Sequence, residues 1–168
     1  MRWSELYSRR DLVTGLVIYG SGDVIAALLT GQFSLQRALG MALVGALLYG
    51  LEIPHYFRWV ARVATPHPRG RAILIRTGLA MLYFNPLWVT RHLALIDLLQ
   101  GHIDTIDLAL LLTATQSFLS AIPITVSANL LIQNVVPLHY RFLGSALFSC
   151  FMAIYYPLVA RFFTPLAT

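Results

Sequence analysis

Lysine is missing from this chain: all twelve basic residues are arginine, which points to a GC-rich, bacterial source. Cysteine is nearly missing too, and the single Cys150 excludes both an internal disulfide and a cysteine metal cage. Charge of either sign is scarce, at 11% of residues, where a soluble domain carries about 25%. No internal repeat or low-complexity tract occurs. The arginines are scattered and form no face for nucleic acid, so the net charge of +5 belongs to loops beside a membrane. What fills the chain is apolar: 58% of its 168 residues, at a mean hydropathy of +0.70. These values describe an all-α polytopic membrane helix bundle, one domain over residues 1–168.

Apolar runs fall at 12–31, 38–57, 72–90, 107–134 and 138–163, which predicts four to five transmembrane helices. Residues 91–106 mix Arg91, His92, Asp97, His102 and Asp104 with leucines and read as a polar loop joined to an interfacial helix. The run 107–134 would measure about 42 Å as straight helix against a core of about 30 Å, so a tilt or a bend at Pro123 is expected. If the N-terminus lies on side A, Arg2, Arg9, Arg10, Arg58, Arg62, Arg69 and Arg71 lie there, with Arg76 and Arg141 close by. Side B keeps Arg37 and Arg91, plus Arg161 if the last run crosses fully. That asymmetry puts side A in the cytoplasm, or in the matrix of a mitochondrion. Glu5 and Asp11 near the start, with no small-residue cleavage site after them, speak against a removed signal peptide.

Polar residues inside these runs are the candidates for function. Asp23 sits in Gly20-Ser21-Gly22-Asp23, and a carboxylate at that depth costs about 2.5–3.5 kcal/mol on insertion scales. It should therefore face the protein interior or a wet cavity. Glu52 and Arg76 fall at similar depth and are expected to pair, with surface snorkelling of Arg76 as the other outcome. Asn85, Asn129, Gln133 and Asn134 add amides, and Pro86 frees a carbonyl beside Asn85. Together they either glue a dry bundle or line a path. Glu52 and His55 have the spacing of half a di-metal motif. The other half is missing, so no metal or other cofactor is expected, and an acid–imidazole pair is. A serine hydrolase would need Ser21 or Ser145 facing a histidine such as His139, and neither serine has a nucleophile-elbow frame. Ala42, Ala46 and Gly50, with Gly40 and Gly45, form a small-residue row suited to packing within the chain or to a homodimer.

Val136-Pro137-Leu138-His139-Tyr140-Arg141 resembles the V-P-x-x-x-R signature of the Mpv-seventeen family, also called the 22-kDa peroxisomal membrane protein family. Other landmarks follow in order. Tyr7 and Gly20-x-Gly22-Asp23 resemble its opening, Arg37 with Gly45 and Gly50 its second helix, and Tyr155 its C-terminal tyrosine. The chain departs from the family at Leu51, His55, Arg76-Thr77, Ile122-Pro123 and Met152-Ala153, and Asn129 stands farther from Pro137 than the family's asparagine. It thus reads as a distant member.

The resemblance implies a bundle usually described as four spans, in a mitochondrial inner or peroxisomal membrane, with channel-like passage of small solutes and no established enzyme activity. From residues and resemblance together, the expectation is a channel or transporter in a bacterial inner membrane. Its partners would be lipid, an unidentified small molecule or ion, and a second copy of itself, with no nucleic acid. The site set is Asp23, Glu52, His55, Arg76, Asn85, Asn129, Gln133 and Arg141, shaped by Gly20, Gly22, Gly45, Gly50, Pro123, Pro137 and His139. A scaffold whose polar residues only fix packing is the alternative. Arg141 is expected to turn inward to Glu52 or to carbonyls freed near Pro137.

Overall fold

Glycines, prolines and capping side chains set the helix ends. The computed structural model describes the backbone of residues 8–163 and the side chains of residues 8–155. Tyr7 and the side chain of Arg161 lie outside them. All regular structure among the described residues is helical.

Helix α1 (Arg9–Thr30) ends at Gly31, whose φ of 72° is the left-handed conformation that glycine adopts without strain. Ser34 then caps α2 (Leu35–Leu43), its side chain accepting from the Arg37 backbone N–H. The helix widens into a π-helical segment (Val44–Tyr49) and continues as α3 (Gly50–Ala64). The next span is α4 (Arg69–Tyr83) followed by α5 (Pro86–Gln100). Then come α6 (Leu108–Asn134), capped by Asp107, and α7 (Arg141–Phe163). α6 runs unbroken through Pro123. The chain leaves the helix before Pro137, which opens a short 3-10 turn, as the Val136–Pro137 pair predicts.

One expectation is corrected here. Residues 91–100 are not a polar loop, because α5 continues to Gln100. Pro86 stands at the first helical position, where its missing N–H costs nothing. The Asn85 side chain accepts from the Trp88 N–H and donates to Leu82 O, the carbonyl four residues before the proline. The break at Phe84–Asn85 is thus sealed locally, and the helix restarts instead of ending.

Four stretches are long and apolar enough to cross a membrane: Arg9–Thr30, Leu35–Ala64, Arg69–Gln100 and Leu108–Asn134. α7 adds a helix of 23 residues. Large apolar side chains such as Leu28, Leu39, Leu74, Leu112 and Leu147 point outward, the inverse of a water-soluble surface. Exposed Arg9, Arg10, Arg58, Arg62, Arg69 and Arg71 gather at one end, while exposed Asp104 and Asp107 lie in the loop at the other.

α1 packs against α7 and, on another face, against α2, the π segment and α3, whereas α6 packs mainly on α4 and α5. The small-residue row of the second span meets α1 within the same chain. A Cβ on Gly15 would collide with Gly45 O, one on Gly20 would lie 3.0 Å from Ala42 Cβ, and one on Gly50 3.0 Å from Asp11 O. Between these two groups lies an aromatic core of Tyr19, Tyr49, Ile53, Phe57 and Phe142, with Phe84 and Trp88 packed against it.

Candidate functional site

Two ion pairs and one cavity organise the polar interior. Gly20 faces Ala42 and Gly22 faces Cys150, so α1 sits close to both α2 and α7 at the level of Asp23. Arg37 reaches Asp23 from the first turn of α2. Its Nε lies 3.1 and 3.0 Å from the two carboxylate oxygens, and its Nη2 donates to Oδ1 at 2.7 Å. The remaining nitrogen, Nη1, meets Gln100 Oε1 at 3.5 Å, the limit of a hydrogen bond. Both side chains are buried, at 5% exposure for Asp23 and 7% for Arg37, and the guanidinium fork is fully engaged.

The second pair joins α3 to α5. Arg91 Nη1 contacts Glu52 Oε1 at 3.0 Å and Oε2 at 2.9 Å. Both side chains are about one-third exposed. The Arg91 guanidinium lies 5.7 Å from the Tyr49 ring centre, a cation–π distance. Tyr49 links the two pairs: its hydroxyl meets His92 Nδ1 at 2.9 Å, and its ring packs against Tyr19 and Trp88. His92 in turn stacks on Trp88, nearly parallel at 6°.

Beside this core lies a cavity of about 280 Å³ between α1, α5, α6 and α7. Its wall is mostly apolar, with Phe84, Trp88, Leu93, Ile96, Phe118 and Phe148. The polar groups on it are Asp23, Arg37, His92, Thr125, Asn129, Ser145 and Ser149. It reaches the surface at Thr30 and Gln32, both exposed, at the end of α1 away from the arginine cluster.

Of the candidates read from sequence, Gly22, Asp23, Asn129 and Ser145 line this cavity, whereas Glu52, His55, Arg76, Asn85, Gln133 and Arg141 are not among its lining residues. Glu52 does not pair with Arg76. The bend at Asn85–Pro86 brings α5 rather than α4 to it, and Arg91 takes the place. Arg76 instead donates to Asn134 Oδ1 at 2.9 Å, and Asn134 donates to Thr77. Glu52 and His55 form no acid–imidazole pair either, because His55 Nδ1 turns back to Leu51 O at 2.8 Å. Asn85 is a helix cap. Asn129 donates to Thr125 O at 2.9 Å and contacts Met81 Sδ. Gln133 is fully buried, with neither amide atom partnered.

Ser145 and His139 face different hollows, so no serine–histidine pair forms between them. His139 lines a crevice of about 420 Å³ at the arginine-rich end, with Arg10, Asp11 and Arg58. Ser21 is exposed and donates to Ile18 O. Among the described residues no group of three His, Cys, Asp or Glu side chains is placed to hold a metal ion.

Arg141 is 8% exposed and donates from Nε to Val136 O at 3.1 Å, bracing the turn that Pro137 imposes. Lysine has a methylene where arginine has Nε, so its ammonium cannot donate from the same place. Arg141→Lys is therefore expected to lose about 1–3 kcal/mol, close to Arg141→Ala, in detergent melting. Wild-type melting of Arg141→Lys would show that the residue merely sits at a phosphate-rich surface.

Sequence reasoning misses Arg37, Arg91, His92 and Tyr49. For Arg37 a signal existed: folding the chain back at Gly31 places it level with Asp23. For Arg91 and His92 the signal was masked by Asn85-Pro86, which looks like the end of a helix.

No family model, curated protein or solved structure matches the chain. What fold and site define is an all-helical bundle with four membrane-length apolar helices, a saturated buried ion pair and an internal cavity.

Proposed function

We propose that this chain is an integral membrane protein that admits small solutes to its interior and passes them across the bilayer. The observation that carries the reading is the cavity. Its wall draws polar groups from α1, α5, α6 and α7, around otherwise apolar walls, and exposed Thr30 and Gln32 lie on its rim. A dry, purely structural interior gains nothing from such a space, since voids forfeit dispersion contacts. The Tyr19, Tyr49, Trp88 and His92 cluster stands between the cavity and the Glu52–Arg91 pair and would form the barrier.

The likeness of Val136 to Arg141 to the Mpv-seventeen signature supports membership of that family and passive passage. The arginine-rich end supports a bacterial inner membrane with that end in the cytoplasm. One observation favours the competing scaffold reading: the Asp23–Arg37 fork is saturated, as a packing device would be. Asp23→Asn is for that reason a poor probe of passage, because it would disturb folding directly.

Ala153→Phe is the better probe, since Ala153 lines the cavity and makes no polar contact there. Wild-type protein in proteoliposomes should release small polar solutes, and Ala153→Phe should lose most of that release while melting no lower. If the wild-type protein releases nothing across ions and metabolites, and Ala153→Phe only raises the melting temperature, the scaffold reading replaces this one.

A further inference from the structure

Buried polar atoms without a partner are rare in folded proteins, and each calls for a reason. Among the described residues there are nine such side-chain atoms, and six of them fall in one cluster. They are Tyr19 Oη, which lies close to Ser149 without a well-aligned hydrogen bond, Glu52 Oε2, Tyr83 Oη, Trp88 Nε1, and Arg91 Nε and Nη2. The cluster is physically continuous. Arg91 lies over the Tyr49 ring, Tyr49 packs between Tyr19 and Trp88, and Tyr83 lies close to both Glu52 and Arg91 without a well-aligned hydrogen bond.

The imbalance has a sign. The N–H groups of Arg91 and Trp88 can only donate, while the two tyrosine hydroxyls both donate and accept. The one carboxylate oxygen without a well-aligned hydrogen bond, Glu52 Oε2, already lies 2.9 Å from Arg91 Nη1. Donor hydrogens therefore outnumber the acceptor oxygens in the cluster. The geometry of Arg91 narrows this further. Nε and Nη2 form the side-on edge of a guanidinium, whose two parallel N–H groups match the two oxygens of a carboxylate. Arg37 uses that same edge to hold Asp23.

We infer that the Nε–Nη2 edge of Arg91, with the Tyr83 hydroxyl beside it, is a binding site for a small monocarboxylate. Glu52 stays on Nη1 and orients the guanidinium, so the ligand takes the opposite edge. A single carboxylate fits better than two, because Arg91 is the one cation of the cluster and its neighbours are aromatic. A short apolar body would lie against Tyr49, Tyr83 and Trp88. The ion pair is about one-third exposed, and Tyr83 is held beside it by stacking on Tyr56, with ring centres 4.4 Å apart. Tyr19 and Trp88 also line the cavity, so as a statement of what is transported this inference rests on the proposed passage. As a binding site it stands alone.

The test uses full-length protein in detergent, on a Trp3→Phe, Trp59→Phe background so that Trp88 is the only indole. Acetate, propionate and benzoate are titrated against their amides and against chloride at equal ionic strength, reading Trp88 fluorescence and melting temperature. Carboxylates should bind and raise the melting point, with the amides weaker by about tenfold or more. Arg91→Lys should lose most of the binding. Glu52→Gln should tighten it, because the competing negative charge is gone, and this response is not expected of a purely structural pair. Should Arg91→Lys fail to fold, Tyr83→Phe should weaken carboxylates relative to amides. Equal binding of acids and amides, no binding of either, or wild-type behaviour of the variant that folds would overturn the assignment. Flux separates the two proposals. Carboxylates that bind but never cross leave the site and remove the passage, whereas solutes that cross without acid preference do the reverse.

Discussion

Arg37→Ala is expected to destabilise the bundle by about 3–5 kcal/mol. The reason is the charge left behind. Asp23 is 5% exposed at its side chain, and its two oxygens take their hydrogen bonds from Arg37. Without the guanidinium, a largely buried carboxylate loses its counter-charge and three of its contacts at once. Asp23→Asn should cost a similar amount by stranding Arg37, and Arg37→Lys should rescue little, because an ammonium cannot span both oxygens.

The informative variant is the double one. Asp23→Leu with Arg37→Met removes both charges and keeps most of the volume, so it should melt within about 1–2 kcal/mol of wild type. Unfolding in detergent, followed by helical signal for all variants, checks this. If the double variant is as unstable as the two singles added together, the pair is not acting as a unit. Glu52→Gln offers the contrast: with its side chain 32% exposed, it should shift stability by only about 1 kcal/mol or less.

The difference between these pairs also marks what a linear sequence conceals. Helices α1 and α6 are legible because each is a long apolar run ended by a residue that cannot continue it, Gly31 in one case and Val136-Pro137 in the other. Asp23 is legible as an interior group on the cost of its burial alone. Its partner is not, because Arg37 lies so near a helix start that it reads as a loop charge. Glu52 shows the reverse failure. Matching depths along straight helices selects Arg76, but the third span bends at Asn85, and the bend turns Arg91 inward instead. Both errors come from the same source. A polar residue is assigned to a loop when the chemistry that would satisfy it belongs to another helix. The π-helical segment is harder still, since no residue pattern in Val44–Tyr49 distinguishes a wide turn from an ordinary one.

That segment carries the second large effect. Gly15→Ala and Gly45→Ala should each destabilise the fold by about 1–3 kcal/mol, and the leucine variants by more, although a helix interior ordinarily prefers alanine to glycine by about 1 kcal/mol. The sign is set by what a methyl group would meet. On Gly15 it would run into the Gly45 carbonyl, and on Gly45 into the Gly15 carbonyl and, at 2.7 Å, Tyr19 Cβ. Backbone carbonyls cannot turn aside, so α1 would have to lift away from the second span. Gly78 is the internal control: it lies inside α4, and a Cβ there would meet nothing within 4 Å. Gly78→Ala should therefore be neutral or stabilise by up to about 1 kcal/mol. The crossing also holds Tyr19 against Tyr49, with ring centres 4.8 Å apart, at the wall between the cavity and the Glu52–Arg91 pair. Lifting α1 should loosen that wall, so Gly15→Ala should make Tyr49 more accessible to iodination or hydrogen exchange, and Gly78→Ala should not. Equal behaviour of the Gly15 and Gly78 variants, in both melting and labelling, would mean that the two backbones do not cross as closely as described.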